Sequence, residues 1–254
     1  MDLNKLIINA DDYGLTESCS KAIAEAFEKN LISSTTACAN GVYIEQALVL
    51  AQEQGFADKI GIHINLTEGQ PLTEAISEDP FFCEEGKFHG HINRLKKLTE
   101  EQLAEIKAEV TAQIERLRSL GYTISHADSH HHIHTCVYIE KAIKDVLFAY
   151  GIKKIRLHRN IGKIPFHKRV VKRWYNKKLR KQGFTTCRYF GSLKDFALGE
   201  KVSGICEIMV HPDYNPKGEL IDRVMQNAEG NFGYLLEEIQ AITENQEKIS
   251  YKDL

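Results

Sequence analysis

Between His126 and His134 the chain reads HADSHHHIH, five histidines and one aspartate in nine residues. No packing requirement of a soluble domain asks for that density of imidazole, but metal chemistry does. Histidine is the commonest neutral metal ligand, and a nearby carboxylate either binds the ion or orients a ligand by accepting its second ring N–H. If extended backbone continues through the stretch, His126, Asp128, His130, His132 and His134 share one face; if a helix begins at Ser129, His130 and His134 lie one turn apart on one side. Either way several imidazoles converge.

Three more places carry reactive side chains at or near the ends of apolar runs: Asp11 and Asp12 after KLIINA, His63 within KIGIHINL, and His211 closing ICEIMVH. Singly, each has an ordinary explanation: an aspartate pair caps a turn, a lone histidine is hydrogen-bonded in a core, and His211 before Pro212 sits in a turn. Jointly they supply two histidines and a carboxylate, enough to hold a divalent ion with positions left for water and substrate, and a second carboxylate to serve as base. Pro212 biases His211 towards an extended conformation at the strand's end.

These residues must be positioned by regular elements, and periodicity predicts them. KLIINA (Lys5–Ala10) is a buried strand, followed by a polar turn and a helix from Thr16 to Asn30. A strand at Ser34–Ala39 and a helix at Val42–Gln54 come next. In Lys59–Leu66, Ile60, Ile62, Ile64 and Leu66 alternate with Gly61, His63 and Asn65, which turns His63 and Asn65 away from the apolar face. Thr99 with Gln102 opens a capping-box helix that Gly121 stops. Strands are expected at Tyr122–Asp128, Lys154–Leu157, Thr185–Phe190 and Ile205–Val210, and helices at Val137–Tyr150, from Glu219 and from Asn231. The segment from Thr67 to Lys97 lacks regular periodicity. Loops this long are usually functional, and its length with Phe81, Phe82 and Phe88 suggests a lid that covers the site and offers aromatic contacts to a ligand. Lys163–Lys181, with nine Lys or Arg around Val170, Val171, Trp174 and Leu179, reads as an amphipathic helix with a solvated face, or as a patch for an anionic ligand. About seven strand–helix alternations argue for an α/β fold with a parallel sheet, open or closed into a barrel, whose active site lies at the carboxyl ends of the strands.

The 254 residues hold 33 Lys plus Arg against 35 Asp plus Glu, a net charge of −2 that leaves no global footprint for nucleic acid. No Gly/Ser/Pro-rich or charge-block linker divides residues 1–254, so one domain with a loop insertion around 67–97 is expected. Six scattered cysteines without a CxxC indicate free thiols. The polar start is too short for a signal-peptide core and no apolar run reaches membrane-spanning length, so a cytoplasmic protein with no membrane partner is expected.

NADDYG (Asn9–Gly14), STTACANG (Ser34–Gly41), GIHINLTEG (Gly61–Gly69), HADSHHHIH and MVHPD (Met209–Asp213) resemble, in order over nearly the whole chain, the signatures of the YdjC/ChbG carbohydrate deacetylase family. HPD alone is weak; GIHINLTEG followed by DSHHHIH is highly specific. The resemblance implies a distorted, TIM-like (β/α) barrel, which the alternation above gives about seven parallel strands, and one divalent ion; imidazole and carboxylate ligands suit Mg2+ or Zn2+ first, with Mn2+, Co2+ or Ni2+ as alternatives. The resemblance also implies Asp12, His63 and His130 as metal ligands, Asp11 as general base and His211 as general acid. Asn65, Asp128, His132, His134 and Arg156 would orient ligands or touch substrate. Tyr13 stands where many relatives carry Phe. The implied reaction is hydrolysis of the N-acetyl amide of a small amino-sugar oligosaccharide such as N,N′-diacetylchitobiose. A homodimer stays open as an assembly. Two rivals remain: a metal-dependent phosphoesterase or other barrel hydrolase, which a second metal site would favour, and a non-enzymatic sugar- or metal-binding protein, which would need no base beside the ligands.

Overall fold

The computed structural model describes residues 5–197, 203–226, 232–244 and 246–254. In chain order they form β1 (Lys5–Tyr13), α1 (Glu17–Glu28), β2 (Ser34–Ala37), α2 (Ile44–Glu53), β3 (Ile60–Ile64), α3 (Glu74–Glu78), β4 (Cys83–Glu84), β5 (Lys87–Phe88), α4 (Glu100–Ser119) and β6 (Ala127–Ser129). Then follow α5 (Glu140–Ala149), α6 (Phe166–Lys181), β7 (Tyr189–Ser192), α7 (Leu193–Ala197), β8 (Cys206–Val210), β9 (Pro212–Tyr214), β10 (Leu220–Gln226), β11 (Phe232–Tyr234), α8 (Leu235–Thr243) and β12 (Glu247–Lys248).

A seven-stranded parallel sheet runs β6-β3-β2-β1-β8-β7, with β12 also paired to β1. The sheet curls, and residues 154–155 link its two edges: Ile155 bridges Ala127 of β6, and Lys154 bridges Thr185 just before β7. The result is a distorted barrel of the TIM-like kind. Its strands are short at this seam, so Tyr122–Asp128 is strand only from Ala127, Lys154–Leu157 supplies single bridges, and Thr185–Phe190 gives way to Tyr189–Ser192. The helices cover the outside. α1 and α4 start at Thr16 and Thr99, each closing a capping box, with Cys19 and Gln102 as the reciprocal partners. Among the described residues no helix is long and apolar enough to cross a membrane.

The stretch expected to be a helix from Glu219 is instead β10, paired antiparallel with β9 and β11. The turn before it explains the switch: the Asn215 side chain accepts from the Lys217 and Glu219 N–H groups, folding residues 215–219 into a hairpin that presents Leu220–Asp222 to β9. The helix expected from Asn231 begins at Leu235 among the described residues; Asn231 itself lies outside them. The 67–97 segment is also more ordered than expected. It folds into α3 and the β4–β5 hairpin, and Phe82 and Phe88 are buried in the main apolar core. Those two rings therefore anchor the segment and are not available to a sugar, while Phe81 is half-buried against the same core.

The barrel interior is polar. Asn9, Thr36, His63, His126, Asp128, Arg156 and Glu207 are all buried there and bond to one another. Near the amino ends of the strands Tyr251 stacks on His126, with ring centroids 3.8 Å apart and planes 8° from parallel, and donates to Glu207. Gly61 is required by this filling, since a Cβ there would meet His126 Nδ1 at 2.5 Å and the His126 carbonyl oxygen at 2.7 Å. Gly61→Ala is expected to cost about 1–3 kcal/mol of folding stability, the usual penalty of overpacking. Urea unfolding of the variant checks this; an unchanged midpoint would show that His126 moves freely.

Candidate active site

The predicted site residues lie at or beyond the carboxyl ends of the strands: Asp11 and Asp12 late in β1, His63 in β3, Asp128 in β6 with His130 directly after it, and His211 after β8. The aspartates sit inside β1, not after it. Pairing of β1 with β2 passes from Ala10↔Thr35 to Tyr13↔Ala37, so β1 carries one extra residue, and Asp12 has a left-handed φ of 74°. In a regular strand neighbouring side chains point to opposite faces. The bulge cancels that alternation and brings both carboxylates to the same site, a device found beside active sites.

Asp12 Oδ1 is the meeting point. It lies 2.8 Å from His130 Nδ1 and 3.2 Å from His63 Nε2, while Asp12 Oδ2 accepts from Arg223. Donor atoms at about 2.0–2.2 Å around a tetrahedral ion are roughly 3.3–3.5 Å apart, so each imidazole stands near ligand spacing from Asp12. Asp12, His63 and His130 are not among the groups of described residues whose donor atoms all lie within 4.8 Å of one another, so one ring must move for all three to share an ion. The electrostatics agree. Burial opposes charge on His63, yet Asp128, Asp12 and Asp11 outweigh it and raise its pKa to about 10. Burial likewise opposes charge on Asp12, but hydrogen bonds from His130 and His63 hold it well below the usual carboxylate range. The carboxylates that retain a proton on His63 would equally attract a divalent cation, whose binding displaces such protons. Asp128 accepts from His63 Nδ1 at 2.7 Å, leaving Nε2 directed at Asp12. His130 Nε2 meets Glu68 at 2.8 Å.

Asp11 faces the cleft from a different set of partners. Arg156 grips both its oxygens at 2.7 and 2.6 Å, Asn9 donates at 3.0 Å, and His211 Nε2 lies 3.9 Å from Oδ2. Burial would raise the Asp11 pKa, but the guanidinium holds it far below the usual range. Arg156 also contacts Asp128 and Glu207, each at 2.7 Å, so one buried cation serves three carboxylates. Burial pushes Glu207 up to about 7 against the pull of Arg156.

The rest of the histidine cluster follows neither a strand nor a helix. Residues 130–135 make a tight turn in which His131 (φ 48°) and His132 (φ 54°) are left-handed, a conformation that costs non-glycine residues about 1–2 kcal/mol each. The turn separates the imidazoles. His126 is inside the barrel, bonded to Ser125 and Asn9; His131 meets Thr67; His132 lies edge-on to Phe190 beside the cleft; His134 is buried against Ser129. Burial lowers the pKa of His132 to about 3 and holds that of His134 well below the usual imidazole value. Asn65 holds the Thr67 and Glu68 N–H groups with its Oδ1, which aims the turn carrying Glu68 at His130. The cleft above Asp11 and Asp12 measures about 500 Å³, and Gly90, Arg94, Met209, Arg223 and Val224 complete its walls. Sequence reasoning missed Glu68, Arg94 and Arg223. Glu68 was findable as part of GIHINLTEG; Arg223 was hidden in the stretch read as a helix.

Comparison with known proteins gives a consistent picture. The YdjC-like protein family model matches residues 5–247. A carbohydrate deacetylase of Listeria monocytogenes serotype 4a is 27% identical, the match covering 98% of this chain and 100% of the relative. Carbohydrate deacetylases of Listeria welshimeri and Oceanobacillus iheyensis are 33% and 38% identical over 62% and 50% of this chain, spanning 62% and 54% of their own lengths. An Enterococcus faecalis crystal structure, carried as a candidate cellobiose-phosphate cleavage protein, superposes with a TM-score of 0.71 at 21% identity over 99% of this chain and 98% of that one.

Proposed function

The chain belongs to the YdjC-like family, and from that premise we propose that it is a metal-dependent hydrolase removing N-acetyl groups from small amino-sugar oligosaccharides such as N,N′-diacetylchitobiose. The observation that carries this reading is the pairing at the cleft floor of Asp12, with two imidazoles on one oxygen, and Asp11, outside that contact but beside His211. The deacetylase names of relatives support the reaction class.

An amide is a poor electrophile and its nitrogen a poor leaving group. A divalent ion held by Asp12, His63 and His130 would supply Lewis acidity towards the carbonyl and make a water more acidic. The protein's own groups do the rest. Asp11, kept ionised by Arg156, accepts the proton of the attacking water at a carboxylate oxygen. His211, in its protonated form, delivers a proton from Nε2 to the departing nitrogen. At 3.9 Å from each other, the two groups would reach the same bound amide from neighbouring positions. Asp128 fixes the His63 ring, so His63 presents Nε2 and not Nδ1 to the site. The 500 Å³ cleft has room for a sugar-sized ligand.

The phosphoesterase rival asks for an independent second ion. Two further groups could hold one: Glu68, His130 and His131, or Asp11, His63 and Asp128. The first shares His130 with the proposed site. The second shares His63 and already has the Arg156 guanidinium on both carboxylates. Neither is independent, which favours one ion and acyl chemistry. Acetate release from N,N′-diacetylchitobiose, assayed with and without chelator, tests the proposal. Release that stops on chelation and returns with added Zn2+ or Mg2+ is expected. No acetate under any metal, or release indifferent to chelator, would overturn it.

A further inference from the structure

Cys38 follows β2 and is fully buried, with its N–H donating to the Tyr13 carbonyl at 2.8 Å. Its side chain packs with Leu15 and Cys19, as a small apolar filler would. The sulfur also faces the chemistry. Cys38 Sγ, a carboxylate oxygen of Asp12 and a ring nitrogen of His63 all lie within 4.8 Å of one another, and all three residues are buried. The neighbouring Cys19 thiol is engaged by the Asp12 carbonyl at 3.2 Å; among the described residues no hydrogen bond engages the Cys38 sulfur.

We propose that Cys38 is a further metal-binding side chain, a thiolate donor beside Asp12 and His63, and that it makes the site select Zn2+ over Mg2+. The proposal rests on the metal-dependent reading above and goes beyond it by assigning a ligand and a metal preference. Sulfur and nitrogen donors on one tetrahedral zinc ion are roughly 3.6 Å apart, so the 4.8 Å limit leaves about 1 Å at most to be closed, a side-chain adjustment. Aspartate and histidine alone admit hard and borderline ions alike. A thiolate does not: Mg2+ demands oxygen ligands in near-ideal octahedral geometry, whereas sulfur suits Zn2+. Cys38, Asp12 and His63 would be three protein donors, which leaves a fourth position of a zinc ion open on the cleft side.

The test uses Co2+ as a spectroscopic substitute for Zn2+ in the full-length protein, and it needs no turnover. Cobalt bound by the wild-type chain is expected to show a thiolate-to-metal charge-transfer band in the near ultraviolet. Cys38→Ser and Cys38→Ala are expected to keep the cobalt d–d bands and lose that one. Zn2+ affinity, measured by competition with a chromophoric chelator, is expected to fall at least ~10–100-fold in both variants, the range that even outer-shell changes cause. Mg2+ affinity should not fall with it. Cys38→Ser is nearly isosteric, so it reads the ligand role even if Cys38→Ala perturbs folding. Cobalt that binds without a charge-transfer band, or a band and a Zn2+ affinity unchanged by Cys38→Ser, would make Cys38 a core filler and leave the Asp12 and His63 site standing. Failure of the wild-type chain to bind Co2+ or Zn2+ at all would overturn this inference and the metal-dependent reading together.

Discussion

Asp12→Ala is expected to abolish stoichiometric metal binding and, with it, acetate release. Among the described residues Asp12 Oδ1 is the atom that meets both His63 and His130, so its removal takes away the partner they share. Changes to outer-shell partners alone commonly cost ~10–100-fold in metal affinity, and losing a direct carboxylate ligand should exceed that. The substitution also strands Arg223, whose guanidinium donates to Asp12 Oδ2, and this partly exposed cation then turns to solvent. Metal content after gel filtration, measured beside kcat, checks the expectation. His63→Ala and His130→Ala should behave alike, and a fully loaded Asp12→Ala would remove Asp12 from the ligand set.

Asp11→Asn is expected to do the reverse: keep the metal and lose kcat by about 10²–10⁴-fold, the usual worth of a general base. Asn preserves the shape of the side chain and one acceptor for Arg156, but it cannot take a proton. Arg156 holds Asp11 in its carboxylate form, so the base is available at neutral pH. The residual rate then measures what metal and binding achieve without the base. A metal-free Asp11→Asn beside a metal-loaded Asp12→Ala would exchange the two roles.

Adjacent aspartates show where reading the chain stops. Their types and their place after an apolar run could be read from NADDYG, but alternation along a strand would have turned them to opposite faces. Their common orientation depends on one extra residue in the β1–β2 register and a left-handed Asp12, and a register exists only once β2 is paired. His63 was legible because strict alternation in KIGIHINL fixes its face whatever the neighbouring strand. The histidine cluster was legible as a density of imidazole and not as a geometry, since two consecutive left-handed residues, His131 and His132, send its members to different surroundings.

Local pattern was also enough for the helices. The capping residues Thr16 and Thr99 and the apolar stripes behind them act within one or two turns, and the fold keeps both. It was not enough for Leu220–Gln226, where Leu220, Ile221, Val224 and Met225 fit a helical stripe as well as a strand, and pairing with β9 decides. Nor could it assign Phe82 and Phe88, whose burial depends on what they meet across the fold. The sequence by itself thus determined the chemical inventory, the strand–helix alternation and the strand ends that carry it, because these follow from side-chain type and from periods of two and 3.6 residues. Only the tertiary structure decided which histidines share an oxygen with Asp12, that Arg156 holds three carboxylates, and that Cys38 lies beside them, because each joins residues on different strands, and distances across a barrel are set by register and curl, not by spacing along the chain.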